Sequence, residues 1–175
     1  RDLIVITDEV YEHLIYDRTH IRMATLPGMR NRTITLSSLG KTFSLTGWKI
    51  GWAIASPSLS LAVRAAHQFL TFSIPPPLQW AAAKALSCNE DYFTELRRTF
   101  NQRRKLLMAG LADVGFKLIE PHAGYFVLAD HRPFGFPSDR MFCRHMIEEA
   151  GVAAIPASVL YENPKHGEHL VRFAF

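Results

Sequence analysis

The segment Ser37–Trp52, with the sequence SSLGKTFSLTGWKIGW, holds the residues best suited to chemistry. Lys41 follows the apolar and β-branched run Thr33–Leu36, where a strand is expected to end and a loop to begin. The amine of a lysine is a nucleophile once it is deprotonated, but its ordinary pKa of roughly 10.4 must be lowered before that happens near neutral pH. Lys49, further along the segment, is a second cation that could contribute to such a lowering.

Hydroxyl groups and glycines surround the two lysines, and the hydroxyls belong to Ser37, Ser38, Thr42, Ser44 and Thr46. Gly40 and Gly47 would let the backbone approach a ligand closely, so the set resembles a phosphate-binding loop more than an acyl-transfer site. The Gly-x-Ser-x-Gly elbow of a hydrolase is absent from the sequence. On residue types alone, a polar loop with two solvated lysines is an equally good interpretation.

Asp8 is a further candidate for chemistry. It follows the apolar run Leu3–Thr7, whose pattern predicts a buried parallel strand. In open α/β sheets, ligands gather at the carboxyl ends of the strands, which favours a functional role for Asp8. As a lone residue it could equally be the N-cap of a helix over Val10–Ile15.

Three motifs occur in a fixed order, namely Asp8-Glu-Val-Tyr11, the segment from Ser38 to Gly51, and Val-Arg172-Phe. Together they resemble the class I and II aminotransferases, which are fold-type I enzymes that use pyridoxal phosphate, over essentially the whole chain. The stretch TFSLTGWKIGW is most similar to the kynurenine aminotransferase and glutamine transaminase K group. The resemblance implies an α/β fold, with part of a large domain that has a mixed, mostly parallel sheet, followed by a small α+β domain.

The resemblance assigns a role to each matched residue of the first two motifs. Lys41 is implied to form the internal aldimine with pyridoxal 5'-phosphate and then to move the Cα proton of the substrate. Asp8 would keep the pyridine nitrogen protonated, and Tyr11, unless it is a core tyrosine, would bond the ring oxygen O3'. Ser38 and Lys49 would bind the phosphate. Many relatives carry arginine where Lys49 stands, so the bidentate fork is lost here while the cation is kept.

The third motif and two other segments complete the comparison. Arg172 is implied to clamp the α-carboxylate of the substrate, and its alternative is a structural ion pair, because an arginine in an apolar strand is costly unless it is paired. Gly124-Tyr125-Phe126 resembles the strand that borders the substrate pocket, although aromatic residues there are usually core. The family implies a homodimer, with Phe69–Pro77 facing the partner.

The implied reaction transfers an amino group from an α-amino acid to a 2-oxo acid. The donor would be neutral, aromatic or sulfur-bearing, such as kynurenine, glutamine, methionine or phenylalanine. A cysteine-conjugate C–S β-lyase would share every residue named above, and a non-catalytic truncated relative would keep only the fold. Both remain alternatives.

Composition excludes several other classes of protein. With 175 residues, of which 48% are hydrophobic, the chain can bury a core. The net charge is +4, but the sequence shows no zinc-finger, RRM or KH pattern, so no nucleic-acid partner is predicted.

Cys88 and Cys143 lie far apart without a CxxC motif, which predicts neither a disulfide nor a metal site. No run of roughly 18 apolar residues is present, so no membrane-spanning helix is predicted. The densest basic cluster is predicted to be a solvated helix face and consists of Arg97, Arg98, Arg103, Arg104 and Lys105.

Periodicity predicts a long connecting helix over 89–113, and the resemblance implies that 1–88 is the end of the large domain and 114–175 the small domain. The predicted strands after Asp8 are Thr33–Leu36, Ile50–Ala55, Lys117–Ile119, Tyr125–Leu128, Ala153–Ile155 and Val171–Phe173. The predicted helices are Ser58–Leu70, Leu78–Leu86, Asp91–Leu111 and Ser138–Glu149, with a break over Ile74–Leu78. Without an initiator methionine, the chain is interpreted as the C-terminal half of a longer protein. The family's other cofactor contacts normally precede Leu3, so this half alone is expected to hold the cofactor weakly.

Overall fold

The computed structural model describes residues 2–175. The chain divides into two compact units, the first ending at Leu96 and the second spanning Arg97–Phe175. Both units combine helices with a β-sheet, which confirms the predicted α/β fold class. The division into 1–88, 89–113 and 114–175 stays a prediction.

The sheet of the first unit has the strand order β1-β2-β3, with β1 at Val5–Asp8, β2 at Thr33–Ser38 and β3 at Gly51–Ile54. Strands β1 and β2 are parallel, and their register places Asp8 beside Leu36. Strands β2 and β3 are antiparallel, with Ser38 opposite Gly51. The carboxyl ends of β1 and β2 therefore meet at one edge of the sheet, and β3 begins at that same edge.

Strand β1 differs from its prediction. It begins at Val5 rather than at Leu3, and Ile6 within it is 65% exposed. The central strand β2 is better covered, since Thr33 and Ile34 are buried. The prediction of a buried first strand is wrong because an apolar run shows only that its side chains can be buried, and no described residue covers this outer strand well.

The helices of the first unit are α1 at Leu39–Thr42, α2 at Pro57–Leu70, α3 at Pro76–Leu86 and the start of α4 at Glu90–Asp113. Helix α3 begins two residues before the predicted start at Leu78, within the predicted break. A proline in the first helical turn lacks only an N–H that has no intrahelical acceptor, so Pro76 and Pro77 are tolerated there. Leu39, Ile50 and Ala82 form the buried core around these elements.

The second unit contains an antiparallel sheet with the strand order β4-β5-β7-β6, with β4 at Lys117–Ile119, β5 at Phe126–Asp130, β6 at Ile155–Pro156 and β7 at Leu170–Ala174. Helix α5 at Asp139–Ala150 begins as predicted, because Ser138 Oγ accepts a hydrogen bond from Met141 N at 3.3 Å. It ends at Gly151 with φ of 66°, a left-handed conformation that glycine adopts at little cost. An apolar cavity of about 840 Å³ lies between α4, α5 and β7, and none of the predicted site residues lines it.

The basic cluster on α4 is only partly a solvated face. Arg98, Arg103 and Lys105 are exposed, but Arg104 is buried and its Nη1 donates to the Pro121 carbonyl oxygen at 2.5 Å. The prediction is therefore wrong for Arg104, because the periodicity of a helix cannot show that a neighbouring loop offers a carbonyl to one of its charges.

Both cysteines are free thiols. Burial, together with Asp139 nearby, raises the pKa of the Cys143 thiol to about 11. Among the described residues, no group of three or more potential ligands could hold a metal ion. No helix in the described part of the chain is long and apolar enough to cross a membrane.

Candidate active site

Asp8 ends strand β1 and is exposed at the edge of the sheet. Its Oδ1 accepts a hydrogen bond from Val10 N at 3.2 Å, which closes a turn over the next residues. The alternative of a helix over Val10–Ile15 is wrong, because Val10–His13 forms a turn and no helix follows. This turn places Tyr11 just beyond the end of β1.

Lys41 lies in the one-turn helix α1, where a loop was predicted. The helix begins because Ser38 Oγ accepts a hydrogen bond from Gly40 N at 3.2 Å, directly at the end of β2. The amine Nζ of Lys41 lies 6.0 Å from the centroid of the Tyr11 ring, within the range of a cation–π contact. The turns that follow β1 and β2 thus bring Lys41 and Tyr11 together.

Gly40 and Gly51, at this edge of the sheet, have little space for a side chain. A Cβ at Gly40 would lie 3.3 Å from Ser38 Oγ, and a Cβ at Gly51 would lie 2.8 Å from the Ser37 carbonyl oxygen. Gly47 has open space around it, so protein neighbours crowd only Gly40 of the two loop glycines, and their predicted close approach to a ligand stays a prediction. A side chain at Gly51 would therefore force the backbone to shift, whereas one at Gly40 would require Ser38 Oγ to move by a few tenths of an ångström.

Lys49 reaches the same edge from the start of β3. It is exposed and adopts a left-handed backbone with φ of 55°. Such a conformation costs a residue other than glycine on the order of 1 kcal/mol, and residues of this kind cluster at functional sites. A hydrogen bond from Leu39 N to the Ile50 carbonyl oxygen, at 3.1 Å, joins the residue after Lys49 to the start of α1.

Tyr92 supports the helix that carries Lys41. Its hydroxyl donates to the Thr42 carbonyl oxygen at 2.7 Å, and its ring stacks on Phe43 at a centroid distance of 5.1 Å. Burial, with Cys88 nearby, raises the pKa of the Tyr92 phenol above its ordinary value. The sequence predicted Tyr92 only as a residue of the helix Asp91–Leu111, with no role at the site.

Glu9 is a second residue that the sequence prediction missed. It is buried, and its carboxylate accepts hydrogen bonds from Thr7 Oγ1 at 3.0 Å and from His20 Nε2 at 2.8 Å. Burial by itself would raise the pKa of the Glu9 carboxyl, but these hydrogen bonds and one from Met23 N outweigh it, so the pKa lies below its ordinary value. The carboxylate is therefore ionised at neutral pH.

Arg172 belongs to the second unit, in strand β7. Its guanidinium carbon lies 4.1 Å from the centroid of the Phe126 ring, and its Nε is buried without a hydrogen-bond partner among the described residues. No carboxylate between residues 2 and 175 forms an ion pair with Arg172, so the alternative of a structural ion pair gains no support. A planar guanidinium that lies on an aromatic ring and forms no ion pair with a described residue suits a carboxylate ligand.

The side chains at the edge of the first sheet fit the cofactor that the sequence motifs imply. They provide an amine for an aldehyde at Lys41, a carboxylate for a protonated ring nitrogen at Asp8, and a phenol for a ring oxygen at Tyr11. Ser38 provides a hydroxyl and Lys49 a cation, which suit a phosphate. These five residues lie on or beside elements that meet at one edge of the first sheet, whereas Arg172 lies in the second unit, and the predicted role of each residue stays a prediction.

Known proteins of one kind match the whole chain. The family model for aminotransferase class I and II matches residues 1–175. Human kynurenine-oxoglutarate transaminase 1 is 36% identical over 99% of this chain and 46% of its own, and methionine aminotransferase of Escherichia coli is 35% identical over 99% and 45%. The structure of N-succinyldiaminopimelate aminotransferase from Mycobacterium tuberculosis is 44% identical over 99% of this chain and 46% of that one, with a TM-score of 0.94. The chain thus spans about half the length of the curated relatives it matches.

Proposed function

Because this chain belongs to the class I and II aminotransferases, we propose that it carries the lysine-bearing part of a transaminase active site. The family uses pyridoxal 5'-phosphate, and its substrates are amino acids and 2-oxo acids. The observation that carries the proposal is the meeting of Asp8, Ser38 and Lys41 at one sheet edge, with the Lys41 amine 6.0 Å from the Tyr11 ring centroid.

Each residue has a defined task in this proposal. When bound, pyridoxal 5'-phosphate supplies an electron sink for the bond that breaks at the substrate Cα. Lys41 holds the cofactor through its amine and then carries the proton at the substrate Cα as general base and acid. Asp8 holds the proton on the ring nitrogen through a charge-assisted hydrogen bond. Tyr11 binds the ring oxygen and, through its contact with Lys41, orients the amine.

The anionic groups of cofactor and substrate require cations and hydroxyls. Ser38 and Lys49 bind the cofactor phosphate, with Lys49 acting as a point charge where an arginine would offer two parallel donors. Arg172 binds the α-carboxylate of the amino acid through its guanidinium. The position of the guanidinium supports this role, because it lies 4.1 Å from the centroid of the Phe126 ring and forms no ion pair with a described carboxylate, so its charge is available to a substrate.

Two kinds of amino donor are candidates for this protein. The motifs favour a neutral, aromatic or sulfur-bearing amino acid, and relatives named for kynurenine and methionine support this choice. The relative with 44% identity is named for N-succinyldiaminopimelate, which makes that compound a second candidate. All of these donors carry the α-carboxylate that Arg172 would bind.

A homodimer is the proposed assembly, with Phe69–Pro77 at the interface. Phe69 is 87% exposed and Phe72 is 79% exposed, the latter with a left-handed backbone at φ of 68°. Large apolar side chains that exposed are common at contacts with another chain. Sedimentation of the full-length protein at several concentrations tests the assembly, and a monomer at every concentration would refute it.

The proposed reaction is tested with the full-length holoenzyme and a panel of donors, namely kynurenine, glutamine, methionine, phenylalanine and N-succinyldiaminopimelate, each with 2-oxoglutarate. We expect formation of the matching 2-oxo acid by the wild type and no turnover by Lys41→Ala, while Lys105→Ala, an exposed lysine outside the site, keeps full activity. Pyruvate and ammonia formed from a cysteine conjugate without any amino acceptor would favour the β-lyase instead. Turnover that survives in Lys41→Ala would contradict the proposal.

A further inference from the structure

We propose that Glu9 is a positioning residue, which fixes the backbone that aims Asp8 at the cofactor. The inference rests on the proposed function, because the position of the Asp8 carboxylate matters only if Asp8 bonds the ring nitrogen of the cofactor. Glu9 is adjacent to Asp8 in the motif Asp8-Glu-Val-Tyr11, and no role in the proposed reaction is otherwise given to it.

The first step is the burial of the Glu9 charge. The residue is only 6% exposed, and an isolated buried carboxylate is strongly unfavourable because it loses its hydration. Three donors offset this cost, since Thr7 Oγ1 at 3.0 Å, His20 Nε2 at 2.8 Å and Met23 N at 3.4 Å all point at its two oxygens. A carboxylate held from three directions has little freedom to move.

The second step is the set of elements that these contacts join. His20 and Met23 lie in the connection between β1 and β2, so the Glu9 side chain fastens that connection to the end of β1. The Glu9 backbone N–H donates to the Leu36 carbonyl oxygen at 2.8 Å, which extends the pairing of β1 with β2 beyond Asp8. Glu9 is therefore fixed both to the central strand and to the connection.

The third step is the effect on Asp8. Successive side chains of an extended strand point to opposite faces, so Thr7 and Glu9 share one face and Asp8 lies on the other. The hydrogen bond between Thr7 and Glu9 confirms that these two side chains are neighbours. Anchoring one face fixes the rotation of the backbone that presents Asp8 on the other face. A carboxylate that must bond one ring nitrogen tolerates little displacement, since about 1 Å can cost 10²-fold in rate.

Glu12 provides a matched control. Its Oε2 accepts from Arg22 Nη2 at 2.8 Å, so it also fastens the turn after β1 to the same connection. The Arg22 side chain is 55% exposed, and such surface pairs contribute little to stability because water screens them. A merely structural role for Glu9 would predict similar effects of Glu9→Gln and Glu12→Gln at the cofactor, whereas a positioning role predicts a difference.

The experiment uses full-length protein as wild type, Glu9→Gln and Glu12→Gln. The readouts are the Kd of pyridoxal 5'-phosphate for the apoenzyme, measured by fluorescence, and kcat and KM of the holoenzyme. We expect Glu9→Gln to raise the cofactor Kd and lower kcat, each about tenfold, with KM changed less than about twofold. Glu12→Gln is expected to stay within twofold of the wild type in every quantity.

A second pair of variants covers the case in which Glu9→Gln does not fold. His20→Gln keeps a side-chain donor for Glu9 and is expected to hold the cofactor more tightly than His20→Leu, by about threefold in Kd. If Glu9→Gln matches Glu12→Gln, or if the two His20 variants have equal Kd, the positioning role is wrong while the proposed function stands. A wild type that binds no pyridoxal 5'-phosphate would overturn the proposed function and this inference together.

Discussion

Replacing Tyr92 by phenylalanine tests how firmly helix α1 holds Lys41. The change removes only the hydroxyl that donates to the Thr42 carbonyl oxygen at 2.7 Å, and it leaves the stacking on Phe43 in place. A hydrogen bond of this kind contributes roughly 1 kcal/mol net, and Thr42 is buried, so its carbonyl would be left without that donor. We expect Tyr92→Phe to lower the free energy of unfolding by about 1 kcal/mol.

The same change is expected to reach the reaction, because Thr42 directly follows Lys41 at the end of α1. If the lost energy appears fully in the transition state, about 1 kcal/mol corresponds to a fall of roughly fivefold in kcat. Urea unfolding of the full-length apoenzyme measures the first effect, and the transamination assay of the holoenzyme measures the second.

Tyr161→Phe is the control for this substitution. Tyr161 is 40% exposed, and its hydroxyl makes no hydrogen bond with any other described residue. We expect both measurements to stay at the wild-type values in this variant. A Tyr92→Phe protein that is indistinguishable from Tyr161→Phe in stability and in kcat would refute the argument that Tyr92 holds α1 in place.

Three other substitutions have a predicted direction of effect on KM or on stability. Arg172→Ala is expected to raise KM for amino acids at least tenfold, with unchanged absorbance of the bound cofactor. Arg144→Ala, on the exposed face of α5, is the control and is expected to change neither quantity. An unchanged KM in Arg172→Ala would show that Arg172 does not bind the substrate. Hydrogen bonds from Arg132 lower the pKa of Asp130 from 3.8 to about 2, so the ion pair stabilises the fold above pH 3.8 and this contribution is lost as the pH falls toward 2. Because the Arg132 side chain is 68% exposed, this contribution is small, and Asp130→Asn is expected to flatten the fall in the free energy of unfolding between pH 3.8 and about 2; an unchanged fall would contradict the pair. Gly51→Ala places a Cβ 2.8 Å from the Ser37 carbonyl oxygen and is expected to destabilise the protein by about 1 to 3 kcal/mol, whereas Gly47→Ala has open space; equal midpoints of thermal unfolding would contradict the steric reason.

The sequence was sufficient to predict those elements whose structure depends on residues close together in the sequence. Helix α5 could be predicted from Ser138 at its start and Gly151 after its end, since both act on their own backbone. The position of Lys41 just past a strand followed from the change between the apolar run and the polar segment. The α/β class followed from the resemblance to a known family that the three motifs carry.

The parts that could not be predicted depend on partners distant in the sequence. Helix α1 is one turn long and contains a glycine, and it is supported by hydrogen bonds with the Ile50 carbonyl oxygen and the Tyr92 hydroxyl, which are both distant in sequence. The buried Glu9 carboxylate requires hydrogen bonds from His20 and Met23, which lie in a connection whose sequence shows no helix or strand periodicity. Local pattern does not show such contacts, because they are set by the path of the chain in three dimensions.

The most direct test of the central claim is the site of covalent attachment. The full-length holoenzyme is reduced with borohydride, digested and mapped by mass spectrometry, with unreduced protein as the control. We expect a pyridoxyl group on the peptide that contains Lys41, at the nitrogen Nζ of that residue. A pyridoxyl group found solely on Lys49, or on no lysine of the segment Ser37–Trp52, would contradict the account.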